Sequence, residues 1–159
     1  MKLYFLRHGI AVEAEDWKGA ESERPLTDKG RKQLDREGKA LAALELELEV
    51  IITSPFARAK ETAQIIAAAL NMSEHIEEND RLADSFSAMA LGEILKSYSK
   101  VKSLMLVGHE PSMSQVIGEI IGGGKIDLKK GGLACVEIPE PPLRKGELKW
   151  LVPPKLLAR

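Results

Sequence analysis

The sequence predicts an α/β fold: a mostly parallel central sheet flanked by helices on both faces, a three-layer sandwich. Three observations predict it. Short apolar runs without polar alternation recur at Leu3–Leu6, Val50–Ile52 and Leu104–Val107, as in strands buried on both faces. Between them lie segments with apolar residues three and four apart, the spacing of amphipathic helices. The two patterns alternate along the chain, as they do where helical crossovers join parallel strands.

Leu3–Leu6 forms the first strand. Residues 9–25 mix Gly, Pro and charge and read as a loop. Thr27 to about Leu44 is a helix, with Thr27 as its cap and Asp28 at the positive N-terminal end. Leu34, Gly38, Leu41 and Leu44 lie along one of its faces. Val50-Ile51-Ile52 is a β-branched second strand. Ser54 and Pro55 suit the cap and first position of a second helix. Its apolar face is Phe56, Ala59, Ala63, Ile66, Ala67 and Leu70, and Asn71 is the stop. Residues 72–86 read as irregular and Met89–Tyr98 as a helix. Leu104–Val107 is the third buried strand, turned at its end by Gly108-His109-Glu110-Pro111. A helix over Ser112–Ile121 is broken by Gly122-Gly123-Gly124. Leu133–Ile138 and Leu148–Val152 are later strands, and residues 153–159 carry no assignable pattern. With no repeat, linker or low-complexity tract, residues 1–159 are expected to form a single domain.

Composition narrows the function. Lys and Arg number 23 against 24 Asp and Glu, a net charge of −1. A general binder of nucleic acid or of membrane surfaces would need a strong basic excess. The lone Cys135 permits no intramolecular disulfide and no cysteine metal cluster, and reads as a small buried hydrophobe. The apolar start, Met1–Leu6, is cut off by Arg7 and His8, too soon for the core of a secretion signal. No apolar run is long enough to span a membrane. The expectation is a cytoplasmic protein.

The chemistry lies at the strand ends. In parallel sheets, ligands bind where the strands finish. Arg7-His8-Gly9 follows the first strand, Thr53-Ser54-Pro55-Phe56-Ala57-Arg58 the second, and Gly108-His109 the third. Two His and two Arg from distant segments thus converge on one sheet edge. Such a set suits phosphoryl transfer. Arg offers a permanently charged fork matched to phosphate oxygens. Arg58, in a first helical turn, adds the backbone N–H groups of a helix N-terminus. A neutral imidazole can attack phosphorus and carry the phosphoryl group covalently. Fixed positive charge around the moving group is the main catalytic contribution in such reactions.

Other motifs fail. Gly122-Gly123-Gly124-Lys125 lacks the glycine spacing and the following hydroxyl of a phosphate-binding loop. His109-Glu110 is followed at the fifth position by Met113, not by the second zinc-binding His. No Gly-rich dinucleotide fingerprint follows a strand. Glu45, Glu47 and Glu49 read as a solvated face, His75 as exposed, and Lys129 and Lys130 as surface charge.

The three strand-end segments resemble a known family. Leu6-Arg7-His8-Gly9 is similar to the signature of the histidine phosphatase superfamily. Ser54-Pro55-Phe56-Ala57-Arg58-Ala59 resembles its second motif and Val107-Gly108-His109-Glu110-Pro111 its third. Arg24-Pro25-Leu26-Thr27 with Gly30 looks like the opening of its first long helix. The small size and overall order look most similar to the SixA-type phosphohistidine phosphatases.

The resemblance implies a phosphoglycerate-mutase-like fold and a phosphatase needing no metal or other cofactor. His8 is then the catalytic nucleophile, and Arg7, Arg58 and His109 are catalytic and bind the phosphoryl group. The substrate is a phosphorylated protein, a histidine phosphotransfer or carrier protein, or else a small phosphate ester. The family's small members imply a monomer. Many relatives use an acid in the middle region to protonate the leaving group. Here Asp84, in Asp80-Arg81-Leu82-Ala83-Asp84, is the candidate general acid, against the blander reading of a solvated loop residue. Two alternatives stay open: a phosphatase or mutase acting on a small monoester, and a module that binds a phosphorylated ligand without turnover.

Overall fold

The computed structural model describes residues 1–139 and 145–158. Six strands form one sheet: β1 (Lys2–Arg7), β2 (Val50–Thr53), β3 (Ile76–Glu78), β4 (Ser103–Gly108), β5 (Leu133–Glu137) and β6 (Glu147–Val152), in the order β3-β2-β4-β1-β5-β6. The first four are mutually parallel. β5 runs against both β1 and β6, so the mostly parallel sheet ends in an antiparallel ribbon. The helices are α1 (Asp28–Ala43), α2 (Ala57–Ala69), α3 (Ala88–Lys96), α4 (Ser112–Ile120) and the short α5 (Pro154–Leu157).

Strand side chains alternate between the two faces, and this builds two cores. Leu3, Phe5, Ile52, Leu104 and Leu106 pack with Leu91 and Ile94 of α3 and with Met113, Val116, Ile117 and Ile120 of α4. Tyr4, Leu6, Ile51, Met105 and Val107 pack with Leu34 and Leu41 of α1 and with Ala59, Ala63, Ile66 and Ala67 of α2. Apolar residues thus point both ways from each central strand, which is why those strands read as unbroken apolar runs. The predicted three layers follow. Cys135 is buried and free, as its strand context implied.

Four expectations need correction. Residues 72–86 contain β3, an edge strand too short and too exposed to show a pattern, aligned by Ile76 beside Ile51. Helix α2 begins at Ala57, because Phe56 is extended (φ −67°, ψ 137°) and Ser54 is engaged elsewhere, as described below. Leu44 is largely exposed beyond the end of α1. Residues 153–159 contain α5. The cap at Thr27 is as expected: its hydroxyl accepts from the Gly30 N–H at 3.0 Å. A side chain at position 30 would collide with the Ile10 carbonyl, so Gly30 lets the loop after β1 lie directly on α1.

Candidate active site

Arg7 and Gly108 are register partners in the adjacent parallel strands β1 and β4. The residues that follow them, His8 and His109, therefore leave the sheet side by side, with ring centroids 5.2 Å apart. On the other side of β4, the Ser54 N–H donates to the Val107 carbonyl at 3.0 Å, which brings the start of α2 to the same edge. Arg58 stands in the first turn of α2. His8, Arg58 and His109 are all buried.

His8 is held from several sides. Its backbone N–H donates to the Gly108 carbonyl at 3.0 Å. Its ring Nδ1 lies 2.8 Å from the Gly9 carbonyl. A carbonyl can only accept, so Nδ1 carries the ring proton and Nε2 keeps its lone pair. Burial, then the nearby charges of His109, Arg58 and Arg7, push the His8 pKa down to about 3, against the opposing Gly9 hydrogen bond. At neutral pH the ring is a neutral base.

Behind it, residues 128–132 form a turn that grips the end of β1. The Gly131 N–H is shared between the Arg7 and His8 carbonyls, at 3.1 Å each, and the Gly132 carbonyl accepts from the Arg7 N–H. The Arg7 guanidinium donates from Nη1 to the Leu128 carbonyl at 3.0 Å. Gly131 has a φ of +79°, and its Cα faces Gln33 and the buried Glu37 of α1.

The α2 side is held differently. Arg58 donates from Nη1 to the Glu21 carbonyl at 3.1 Å and pairs through Nη2 with the Glu21 carboxylate at 3.2 Å. Arg24 grips the same carboxylate at 2.7–3.1 Å. The Arg58 guanidinium lies 5.2 Å from the Phe56 ring centroid, and Phe56 in turn sits 5.2 Å from His109. Thr62 joins the two sides, accepting from the Gly9 N–H and donating to the Arg58 carbonyl.

His109 Nε2 lies 2.8 Å from the Ser54 hydroxyl, which also accepts from the Phe56 N–H. A hydroxyl has one proton and two lone pairs, so this contact forms either with the hydroxyl donating to Nε2 and the ring proton on Nδ1, or with Nε2–H donating to the hydroxyl. Burial, followed by Arg58 and Arg24, holds its pKa down at about 4. Three site atoms are buried without a hydrogen-bond partner among the described residues: Arg7 Nε, Arg58 Nε and His109 Nδ1. The two arginine Nε atoms are donors, His109 Nδ1 is one in the tautomer whose Nε2 accepts from Ser54, and buried donors are rarely left unpaired. They come from three elements that meet beside the His8 ring, an arrangement suited to a compact anion with several acceptor oxygens.

The four strand-end residues expected to meet do meet. Asp84 stands apart: it is exposed, and it reaches the site only through its charge, which with that of Glu21 opposes the burial-driven lowering of the Arg58 pKa. His75, Lys129 and Lys130 lie outside the cluster, and Lys129 and Lys130 pair with Asp127 and Glu13. Among the described residues, no three His, Cys, Asp or Glu side chains are placed to hold a metal ion. Glu21, Thr62 and Gly131 shape the site without a sequence signal of their own, whereas Phe56 lay within the segment of residues 54–59. Arg24 had one, in the Arg24-Pro25-Leu26-Thr27 segment.

Residues 3–94 match the histidine phosphatase superfamily, branch 1. The chain belongs to that superfamily. It is an enzyme of the phosphatase class. An uncharacterised protein of Picosynechococcus is 36% identical over 138 residues, covering 84% of this chain and 82% of that protein. Phosphohistidine phosphatase SixA of Escherichia coli K12 is 25% identical over 126 residues, covering 77% of this chain and 76% of that one. The fold superposes on a solved protein histidine phosphatase SixA complexed with tungstate with a TM-score of 0.88, at 24% identity and 99% coverage of both chains. That superposition confirms the phosphoglycerate-mutase-like architecture. Among the described residues, no helix is long and apolar enough to cross a membrane.

Proposed function

We propose that this chain is a phosphohistidine phosphatase that removes phosphate from a phosphorylated histidine of a protein, through a phospho-His8 intermediate. The observation that carries this reading is the His8 ring: Nδ1 is pinned to the Gly9 carbonyl, which leaves the Nε2 lone pair free in a site that also holds the His109 ring and the unpartnered Nε–H donors of Arg7 and Arg58.

The phosphoryl oxygens take Arg7, Arg58 and His109 Nδ1–H as donors. The Nε2 lone pair of His8 attacks phosphorus in line with the scissile P–N bond. That bond breaks and its electron pair stays on the leaving nitrogen. A substrate imidazole protonated on its distal nitrogen departs neutral, so no strong acid is required. Phospho-His8 is then an imidazolium, with Nδ1–H still on Gly9. Water attacks phosphorus, the P–Nε2 bond breaks, and the electron pair returns to His8. Both water protons leave with the orthophosphate, and the enzyme is back in its starting state. Neither half-reaction needs a metal.

The likeness to SixA over most of the chain supports the phosphohistidine substrate. So does the rim. Between α2 and β4 the chain adds only two 3-10 turns, the edge strand β3 and α3, and α3 turns Leu91 and Ile94 into the core. This leaves the strand-end site approachable by a protein side chain. Asp84, exposed, is proposed to be dispensable for a leaving imidazole and to matter only for an alkoxide.

The test is phosphate release from a phosphohistidine-bearing carrier protein, with wild type and His8→Ala, in the presence of a chelator. Release by wild type alone supports the reading. His8-dependent release from small monoesters only would move the substrate and keep the mechanism. Binding without release from either would overturn the catalytic role of His8.

A further inference from the structure

Glu21 is the acid in direct contact with the guanidinium groups around the anion site. It sits in a short 3-10 turn, Glu21–Glu23, in the loop after β1. Its carboxylate is held by Arg24 and reaches Arg58, while its own carbonyl fixes the other arm of Arg58. Its charge also acts on His109, where it opposes the lowering of the ring's pKa. Arg58 is buried, with 7% of its side chain exposed, whereas 54% of the Glu21 side chain is exposed. The carboxylate therefore stands on the solvent side of the guanidinium.

In-line transfer puts the leaving group on the face of phosphorus away from the nucleophile. His8 is buried, so that face looks outward, and the half-exposed Glu21 carboxylate stands on the solvent side of Arg58. A carboxylate there does nothing for the phosphoryl group itself, which it repels. Beyond orienting Arg58, what its charge can favour is one leaving group over another.

We propose that Glu21 is a specificity-determining residue: a charge filter at the site rim that favours leaving groups bearing positive charge and disfavours those bearing negative charge. A protonated imidazole belongs to the first class. A phosphorylated hydroxy acid, with a carboxylate near its phosphate, belongs to the second. The filter deepens the phosphohistidine reading above but can be tested without it.

The probes are two small monoesters of similar size. Phosphoethanolamine carries an ammonium group and 3-phosphoglycerate a carboxylate. Their dissociation constants, with inorganic phosphate as reference, are measured by calorimetry on wild type and Glu21→Gln, so no turnover is needed. The amide keeps one acceptor oxygen for Arg24 and removes the charge. An exposed charge pair changes binding a few-fold, and the two ligands differ by two charges. Wild type is expected to prefer phosphoethanolamine, and Glu21→Gln to reduce that preference by about three- to tenfold. Added salt should shrink the wild-type preference. Glu21→Asp should restore part of it. A matched gain in affinity for all three ligands would overturn the filter, because Glu21 would then be only a competing anion on Arg58. A matched loss would overturn it too, because Glu21 would then serve only to hold the loop. Failure on the phosphohistidine protein with an intact ligand preference would instead count against the phosphohistidine reading alone.

Discussion

The two halves of the site are held in opposite ways. The β1 half, Arg7 and His8, is fixed almost wholly by backbone: the Gly108, Gly9, Gly132 and Leu128 carbonyls and the Gly131 N–H. The α2 half, Arg58 and His109, is fixed mainly by side chains: Glu21, Phe56 and Ser54. Backbone contacts survive most substitutions, because every residue type supplies the same amide. Side-chain contacts change with each substitution. The proposed covalent step thus rests on the half that sequence change disturbs least, and the proposed recognition of the leaving group on the half that can vary.

The strongest way to break this contrast is at the nucleophile. His8→Ala removes the only proposed acceptor of the phosphoryl group, and kcat is expected to fall by at least about 10³-fold. No acid-labile phosphoenzyme should form in single turnover. In wild type, kcat/KM should stay level as pH falls through the ordinary His range. It should drop only towards the low values set by burial, about 3 for His8 and about 4 for His109, as His8 gains a proton and loses its lone pair. A rate–pH profile with an acid limb near 6.5 would show that the rings are hydrated in solution.

Glu37 tests what lies behind the backbone-held half. It is 1% exposed, accepts one hydrogen bond from Gln33 at 2.8 Å, and leaves Oε2 without a partner among the described residues. Burial raises its pKa to about 7, against the Gln33 hydrogen bond and the charge of Arg36. A folded pKa above the unfolded one means that the native state binds the extra proton. Stability is therefore highest below the unfolded value and is lost as pH rises through about 7. Glu37→Gln should remove about 2 kcal/mol of the decline between pH 5 and 8. Urea titrations at the two pH values measure it. An unchanged slope would mean that Glu37 ionises freely.

Gly131→Ala probes the same turn from the other side. The positive φ strains any side chain, and a Cβ would sit 2.8 Å from Glu37 Oε1. The cost should be about 1–2 kcal/mol of stability. Because Gly131 also holds the Arg7 and His8 carbonyls, kcat should fall with it. Loss of stability with an unchanged kcat would show that the turn supports the fold and not the nucleophile.

What was legible in the sequence follows the same division. The buried strands were visible as apolar runs, and His8, Arg58 and His109 were visible because each follows such a run. Parallel strands end at one edge, so position along the chain stood in for position in space. Contacts between segments without regular structure were invisible. Nothing local says that Glu21 meets Arg58, 37 residues away, or that Gly131 meets Arg7. Ser54 was misread because a serine before a proline looks like a helix cap, whereas its hydroxyl accepts from the Phe56 N–H ahead of the helix and meets His109 from the third strand end. Glu37 did leave a trace. It lies three residues after Leu34 and four before Leu41, inside the apolar stripe of α1, where a carboxylate is out of place.

Ser54 gives the mildest test, on the side-chain-held half. Its hydroxyl is fully buried between the Phe56 N–H and His109 Nε2. Ser54→Ala removes the partner that biases the His109 tautomer, so the ring proton is free to exchange between Nδ1 and Nε2. A fraction of the enzyme then presents a lone pair, not a donor, to the phosphoryl group. The expected cost is about three- to tenfold in kcat, the scale of a misassigned hydrogen bond rather than of a lost nucleophile. The fall should come with little change in the acid limb of the pH profile, since His8 keeps its Gly9 contact. Ser54→Thr, which keeps the hydroxyl, should recover part of the rate if the extra methyl is accommodated. Equal losses in both variants, with folding intact, would show that the pocket reads the shape of Ser54 and not its proton, and would return His109 to the backbone-held half.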